Sequence, residues 1–339
     1  MPPTPKALLG LVGENLPEWH TMMENLVLSV RHFGGSLAEM PIAVNVVGDA
    51  DPAFVRSMDR WRATVRVVDP MDPETPRSIK NKLRVFELAA TEDFDVLLAL
   101  DCDAIVMGDL ASVMSTTAVR AVPAIQNQLS EESWERVYDH LGLPRPEQRM
   151  VMAITGQRTY PYVNGGVLFV PRQACLPLLD RWQWARDKIL ELEAEEPGFL
   201  CGRTFSDQYS LPAAVAAAGF DIDLLPVNYN LRTQTTRYAA EYDGQWGPPC
   251  IYHYHGEIDA AGFLRWAPRP EIRPFLDEFN RRRAEALRLP YVGLAQPPVA
   301  KRVKAMVHST SLLPDPLYRK LVGLTRTSGR TMGRARALR

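Results

Sequence analysis

Asp95-Val-Leu-Leu-Ala-Leu-Asp-Cys-Asp103 decides the fold. The apolar run from Val96 to Leu100 has the length and composition of a strand buried on both faces, as in a parallel sheet. Two aspartates separated by one residue follow at once. Continued strand alternation points Asp101 and Asp103 the same way and Cys102 the other. In open α/β sheets, ligands sit just outside the carboxyl ends of the strands. Two carboxylates there repel each other unless a cation lies between them. Mg²⁺ and Mn²⁺ take oxygen ligands of this kind and bridge them to a substrate diphosphate. The D-x-D spacing is weak by itself, because aspartates also cap helices and start turns.

The flanking sequence supplies the context. Ala7 to Gly13 reads as a first strand, and Trp19, Met22, Met23, Leu26, Val27, Val30 and Phe33 follow at helical spacing until Gly34-Gly35. Ile42–Val47 and Thr64–Val68 read as further strands, with a short helix over Pro52–Trp61 between them. A Pro-rich loop, Pro70–Pro76, precedes a helix from Ile79 to Ala90. The run ending at Leu100 is then a fourth strand. Strands alternating with helices imply an α/β sheet wound like a nucleotide-binding domain. The first turn carries neither G-x-G-x-x-G nor a P-loop, so if the fold binds a nucleotide, a metal must handle the phosphates.

Bulk properties exclude several classes. Apolar content of 46% and charged content of 23% are ordinary for a globular chain of 339 residues. Cys102, Cys175, Cys201 and Cys250 form no C-x-x-C pair, which argues against a disulfide framework and fits a reducing compartment. Neither a signal peptide nor a membrane-spanning run is evident, so a cytoplasmic location is expected. Residues 301–339 hold ten Lys or Arg against one acidic residue, Asp315, within a chain of net charge −1. The main domain is therefore acidic, which disfavours nucleic acid as a partner. The basic tail is expected to bind an anionic surface, peripherally at the inner face of a membrane.

Three later stretches complete the reading. Val163-Asn-Gly-Gly-Val167 enters an apolar strand through glycines that allow close approach of a ligand. Ser206-Asp-Gln-Tyr209 places a carboxylate and an amide at the start of a helix, where they could equally be caps. His253-Tyr-His-Gly256 places two histidines on one face of an apparent strand.

Together with the D-x-D strand, these stretches resemble the GT-A glycosyltransferases, especially family 8, which includes glycogenin and bacterial lipopolysaccharide galactosyltransferases. The resemblance covers roughly residues 7–260. Asp101-Cys-Asp-Ala-Ile-Val-Met-Gly-Asp-Leu110 matches that family's D-x-D and the turn after it. The resemblance implies a Rossmann-like, mixed but mainly parallel sheet over residues 1–285, with a basic extension over 286–339. It implies metal ligation by Asp101, Asp103 and His253, with Mn²⁺ or Mg²⁺ as cofactor. It gives Lys82, Asp101, Gly165 and Gly256 a role at the donor, and Asn164, Asp207 and Gln208 a role at the reacting sugar. The expected reaction moves a sugar from a nucleotide-sugar donor, UDP-linked, to a hydroxyl on a glycan, lipid-linked or small-molecule acceptor, with retention. The alternative is a degenerate GT-A domain that binds sugar or nucleotide without turnover. One departure stands out. The family's lysine three residues after the late glycine is replaced by Asp259, leaving Arg265 or His255 to supply the charge. A haloacid dehalogenase phosphatase is disfavoured because its D-x-D follows the first strand and continues D-G-T or D-G-V, and a sugar nucleotidyltransferase because its Gly-rich loop is absent.

Overall fold

The computed structural model describes residues 5–124, 129–152, 157–200, 206–232, 248–265 and 272–294. The basic tail over residues 301–339 lies outside the described residues. Strands β1 (Ala7–Glu14), β2 (Ile42–Val47) and β3 (Thr64–Val68) alternate with helices α1 (Pro17–Phe33) and α2 (Pro52–Arg60). A 3₁₀ helix over Ile79–Ala90 leads into β4 (Val96–Leu100) and the short β5 (Ala104–Val106). Then come β6 (Val119–Pro123), α3 (Glu131–His140), β7 (Met150–Val151), β8 (Arg158–Thr159) and β9 (Val163–Pro171). Helices α4 (Arg172–Glu195) and α5 (Ser206–Ala217) precede β10 (Ile222–Leu224), β11 (Leu231–Arg232) and β12 (Ile251–His253). Helix α6 spans Arg273–Leu287.

The main sheet has the order β10-β6-β9-β4-β1-β2-β3. All its pairings are parallel except those of β9, which runs antiparallel to both β4 and β6. This is the mixed, mainly parallel sheet expected from the sequence. Burial explains the continuous apolar runs. Leu97 and Ala99 of β4 face one core with Trp182 of α4, while Val96, Leu98 and Leu100 face another with Val27 and Val30 of α1. With both faces covered, apolar side chains pointing either way are stabilised.

A second sheet, β11-β12-β5, is set beside the end of β4. Strand β12 runs antiparallel to β5, with His253 opposite Ala104, and parallel to β11, with Arg232 opposite His253. Helix α6 closes a third core through Leu276 and Phe279, packed with Tyr252 and Tyr254. Beyond it, the Leu294 N–H and the Tyr291 hydroxyl both donate to Asp277 Oδ1. Among the described residues, no helix is long and apolar enough to cross a membrane.

Two local expectations are corrected. Strand β4 ends at Leu100, and residues 101–103 form a turn closed by the Ala104 N–H donating to the Asp101 carbonyl at 3.1 Å. Strand alternation therefore does not orient the aspartates, and Cys102 joins them along the same cavity. Likewise, β12 stops at His253, and His255 takes a left-handed backbone with φ +51°. The two histidines share no strand face. They meet because the chain turns back through His255 and Gly256 (φ +70°), a conformation that glycine adopts without a steric penalty. Their rings end 4.2 Å apart.

Candidate active site

The site is built from two hydrogen-bonded sets that meet at the end of β4. The first centres on Lys82. This residue shares a row with Val85 and Leu88 along the 3₁₀ helix, where side chains three apart eclipse. Val85 and Leu88 are buried in the core, so the row carries the ammonium to the sheet's carboxyl edge. Lys82 Nζ lies 3.2 Å from Asp207 Oδ2 and 3.5 Å from Asp101 Oδ1. Burial lowers its pKa, but Asp101 and Asp207 outweigh that and hold it above its ordinary value. Asp207 is only 4% exposed, at the start of α5, and its Oδ1 meets no hydrogen-bond partner among the described residues. Trp182 Nε1 donates to the Asp207 carbonyl at 2.9 Å and fixes this end of the helix.

The second set runs from β9 to β12. The Gly166 N–H donates to Asn164 Oδ1 at 3.0 Å, which identifies that atom as an acceptor. Asn230 therefore presents its amide Nδ2 there, at 2.8 Å, and its Oδ1 faces His253 Nδ1 at 3.2 Å. An acceptor at that position assigns the proton to Nδ1. His253 Nε2 lies 2.9 Å from Asp103 Oδ1, a contact that either a proton on Nε2 or a shared cation satisfies. Burial raises the Asp103 pKa, yet His253 outweighs it and keeps the carboxyl below its ordinary range.

His255 completes a group of three with Asp103 and His253, whose ligand atoms all lie within 4.8 Å of one another. The residue is exposed overall, but loss of water around its ring, together with His253 and Arg232, lowers its pKa. A neutral imidazole offers a lone pair. The donor set of two imidazole nitrogens and one carboxylate fits a divalent cation, and the Asn230 contact fixes the His253 tautomer as a metal ligand requires.

A cavity of about 380 Å³ opens beside both sets, lined by Gly13, Val47, Asn81, Lys82, Asp101 and Asp103 among others. Its size falls in the small-molecule range of about 300–1,000 Å³. Cys102 also lines it, but burial, then Asp103 and Asp101, push its thiol well above the ordinary value, so it is no nucleophile.

The structure thus joins Lys82, Asp101 and Asp207 in one set and Asn164, Asp103 and His253 in the other. Asp101 faces Lys82 and stands outside the group of three candidate ligands. Its N–H donates to the Gly166 carbonyl, and a Cβ on Gly166 would sit 2.4 Å from its Oδ2. Gly166 is therefore the glycine that lies against the carboxylate. Gly165 packs toward Trp182 and Lys82 Nζ. Gln208 is half-buried beside Asp207 and belongs to neither set among the described residues. Arg265 is exposed, its N–H bonded to the Glu257 carbonyl.

Asn230 and Arg232 were missed from the sequence. Their only sequence signal is the spacing of polar Asn228, Asn230 and Arg232, and it is misleading, because Val227–Asn230 form a 3₁₀ helix and the strand starts only at Leu231. Arg232 is 7% exposed, and burial lowers its pKa to about 10, against Tyr162, Asp101 and Asp103, which raise it.

A family model described as the Rhodobacterales glycosyltransferase domain matches residues 24–219, which include Lys82, both aspartates of the D-x-D, Asn164 and Asp207. The chain belongs to that family. This glycosyltransferase has no match among curated proteins. Among solved structures it is similar to mouse xyloside xylosyltransferase 1, at 12% identity over 74% of this chain and 97% of that one, with a TM-score of 0.45. It is also similar to the galactosyltransferase LgtC in complex with donor and acceptor sugar analogues, at 15% identity over 88% and 99% of the two chains, with a TM-score of 0.46. A third is the glycosyltransferase GlyE of Streptococcus pneumoniae TIGR4, at 15% identity over 85% and 65%, with a TM-score of 0.43.

Proposed function

We propose that this glycosyltransferase moves a sugar from a UDP-linked donor to a hydroxyl acceptor with the help of a divalent cation, and retains the anomeric configuration. The observation that carries the proposal is the grouping of Asp103, His253 and His255, whose ligand atoms all lie within 4.8 Å of one another. Two imidazoles and a carboxylate are a softer set than Mg²⁺ prefers, which favours Mn²⁺. A divalent cation held there would supply neutralisation of the charge that develops on a diphosphate leaving group.

The remaining residues orient the reactants. Asp101, engaged by Lys82, faces the cavity and is suited to a ribose or donor hydroxyl. The free Oδ1 of Asp207 is a buried acceptor that a sugar hydroxyl would satisfy. Gln208 beside it is suited to the attacking hydroxyl or the donor sugar. Asp207 is tied to Lys82 and buried, which suits it to positioning rather than to general-base work. In a retaining transfer the leaving phosphate can accept the acceptor's proton, so no further base is required. Positioning of this kind can supply up to about 7–11 kcal/mol of a barrier.

Asp103→Ala is expected to abolish transfer while leaving the melting temperature near that of wild type, since the side chain is partly exposed. Titration of UDP should show binding with Mn²⁺ that EDTA removes. Equal UDP affinity with EDTA and with Mn²⁺ sinks the metal assignment. Slow metal-dependent release of UDP from a UDP-sugar separates a turnover enzyme from a binding module.

A further inference from the structure

We infer that Arg232 is the side chain that grips the diphosphate oxygens of the bound nucleotide. This deepens the donor reading above and rests on it. Arg232 is more than nine-tenths buried, yet its Nε and Nη2 meet no hydrogen-bond partner among the described residues. A buried cation left unpaired is among the costliest arrangements in a folded chain. It persists where a ligand supplies the missing anion.

The position identifies that anion. Arg232 lies opposite His253 in the parallel pairing of β11 with β12, and residues paired in this way project from the same face. It is therefore a strand's width from His253, one of the candidate cation ligands. It feels Asp101 and Asp103 electrostatically, and His255 feels it in turn, so it faces the same space. Neither aspartate satisfies it, because Asp101 is engaged by Lys82 and Asp103 by His253. Of the fixed charges there, three carboxylates (Asp101, Asp103, Asp207) face two cations (Lys82, Arg232), and a divalent ion reverses the sign in favour of an anion. Planar guanidinium donors match phosphate oxygens in pairs, which an ammonium cannot do.

The test is calorimetric titration of wild type, Arg232→Gln and Arg232→Lys with UDP and with uridine, in Mn²⁺, alongside melting of the unliganded proteins. Arg232→Gln should lose about tenfold or more in UDP affinity and leave uridine affinity unchanged. Arg232→Lys should fall between wild type and Arg232→Gln. Unliganded Arg232→Gln should melt at or above wild type, because it no longer buries an unsatisfied charge. Undiminished UDP affinity in Arg232→Gln overturns the inference while leaving the donor reading intact. So does a lower melting temperature, or failure to fold, which would mark Arg232 as a structural group. Absence of metal-dependent UDP binding by wild type removes the donor reading itself, and this inference with it.

Discussion

Lys82 is the residue on which the donor end of the site depends. Its ammonium separates Asp101 from Asp207, and without it two carboxylates would face each other in a largely enclosed space. Removing one member of a buried ion pair costs about 3–5 kcal/mol. Asp101 is one-third exposed, so solvent screening brings the expected cost of Lys82→Met down to about 2–3 kcal/mol. Chemical denaturation near neutral pH should show this loss, and adding Asp207→Asn should recover part of it. A double variant no more stable than Lys82→Met would mean that the two groups are not coupled. The pH dependence has a definite sign. The Lys82 pKa is raised on folding, so its contribution is complete below the ordinary lysine value of 10.5 and is lost only as pH climbs through the higher folded value. The gap between wild type and Lys82→Met should therefore be constant between about pH 7 and pH 9.

At the scale of elements, the site depends on how closely β9 passes the end of β4. Asn164 and Gly166 stand two apart on β9. Asn164 receives the Gly166 N–H, and the Gly166 carbonyl receives the Asp101 N–H. A methyl group on Gly166 would meet Asp101 Oδ2 at 2.4 Å and Asn164 Oδ1 at 2.9 Å, too close for either to stay in place. Overpacking of this kind costs about 1–3 kcal/mol, which a core of this size absorbs. Gly166→Ala is thus expected to fold, to melt somewhat lower, and to lose most of its transfer activity by displacing Asp101. Full activity in this variant would show that Asp101 need not hold its observed position. The short β11-β12-β5 sheet does the complementary work. It carries Arg232 and His253 to the turn that holds Asp103, and Asn230 ends the 3₁₀ turn that leads into β11.

The whole molecule divides its charge unequally, with an acidic body and a basic stretch over residues 301–339. Lys301-Arg-Val-Lys304 and Tyr318-Arg-Lys-Leu-Val-Gly-Leu324 mix basic and apolar side chains. Such stretches lie on anionic bilayers with a gain of about 1 kcal/mol per Lys or Arg near the surface. We propose that this extension brings the enzyme to a membrane bearing lipid-linked acceptors. Removing residues 301–339 should weaken binding to vesicles containing phosphatidylserine and spare metal-dependent hydrolysis of the donor. Binding of the full chain should weaken as salt screens the attraction. Full-length protein that ignores such vesicles at low salt would refute the membrane role.

The sequence by itself determined the alternation of strands and helices, the buried character of β4, and the presence of Lys82, Asp101, Asp103, Asn164, Asp207 and His253 at element ends. These are local properties, because hydrophobic period and chain punctuation are written in neighbouring residues. The tertiary structure alone decided which of those groups meet. Lys82 and Asp207 are separated by 125 positions, yet they lie in hydrogen-bond contact because the 3₁₀ helix and α5 both begin at the same edge of the sheet. His255 reached the ligand group through a reversal of the backbone, not through strand alternation. Asn230 and Arg232 carried no clear local signal; the 3₁₀ turn over Val227–Asn230 placed the first, and the pairing of β11 with β12 placed the second. Whether a polar residue is a solvated surface group or an unsatisfied donor awaiting a ligand depends on what surrounds it in space. Contacts between residues distant in sequence set that environment, and a local pattern does not encode them.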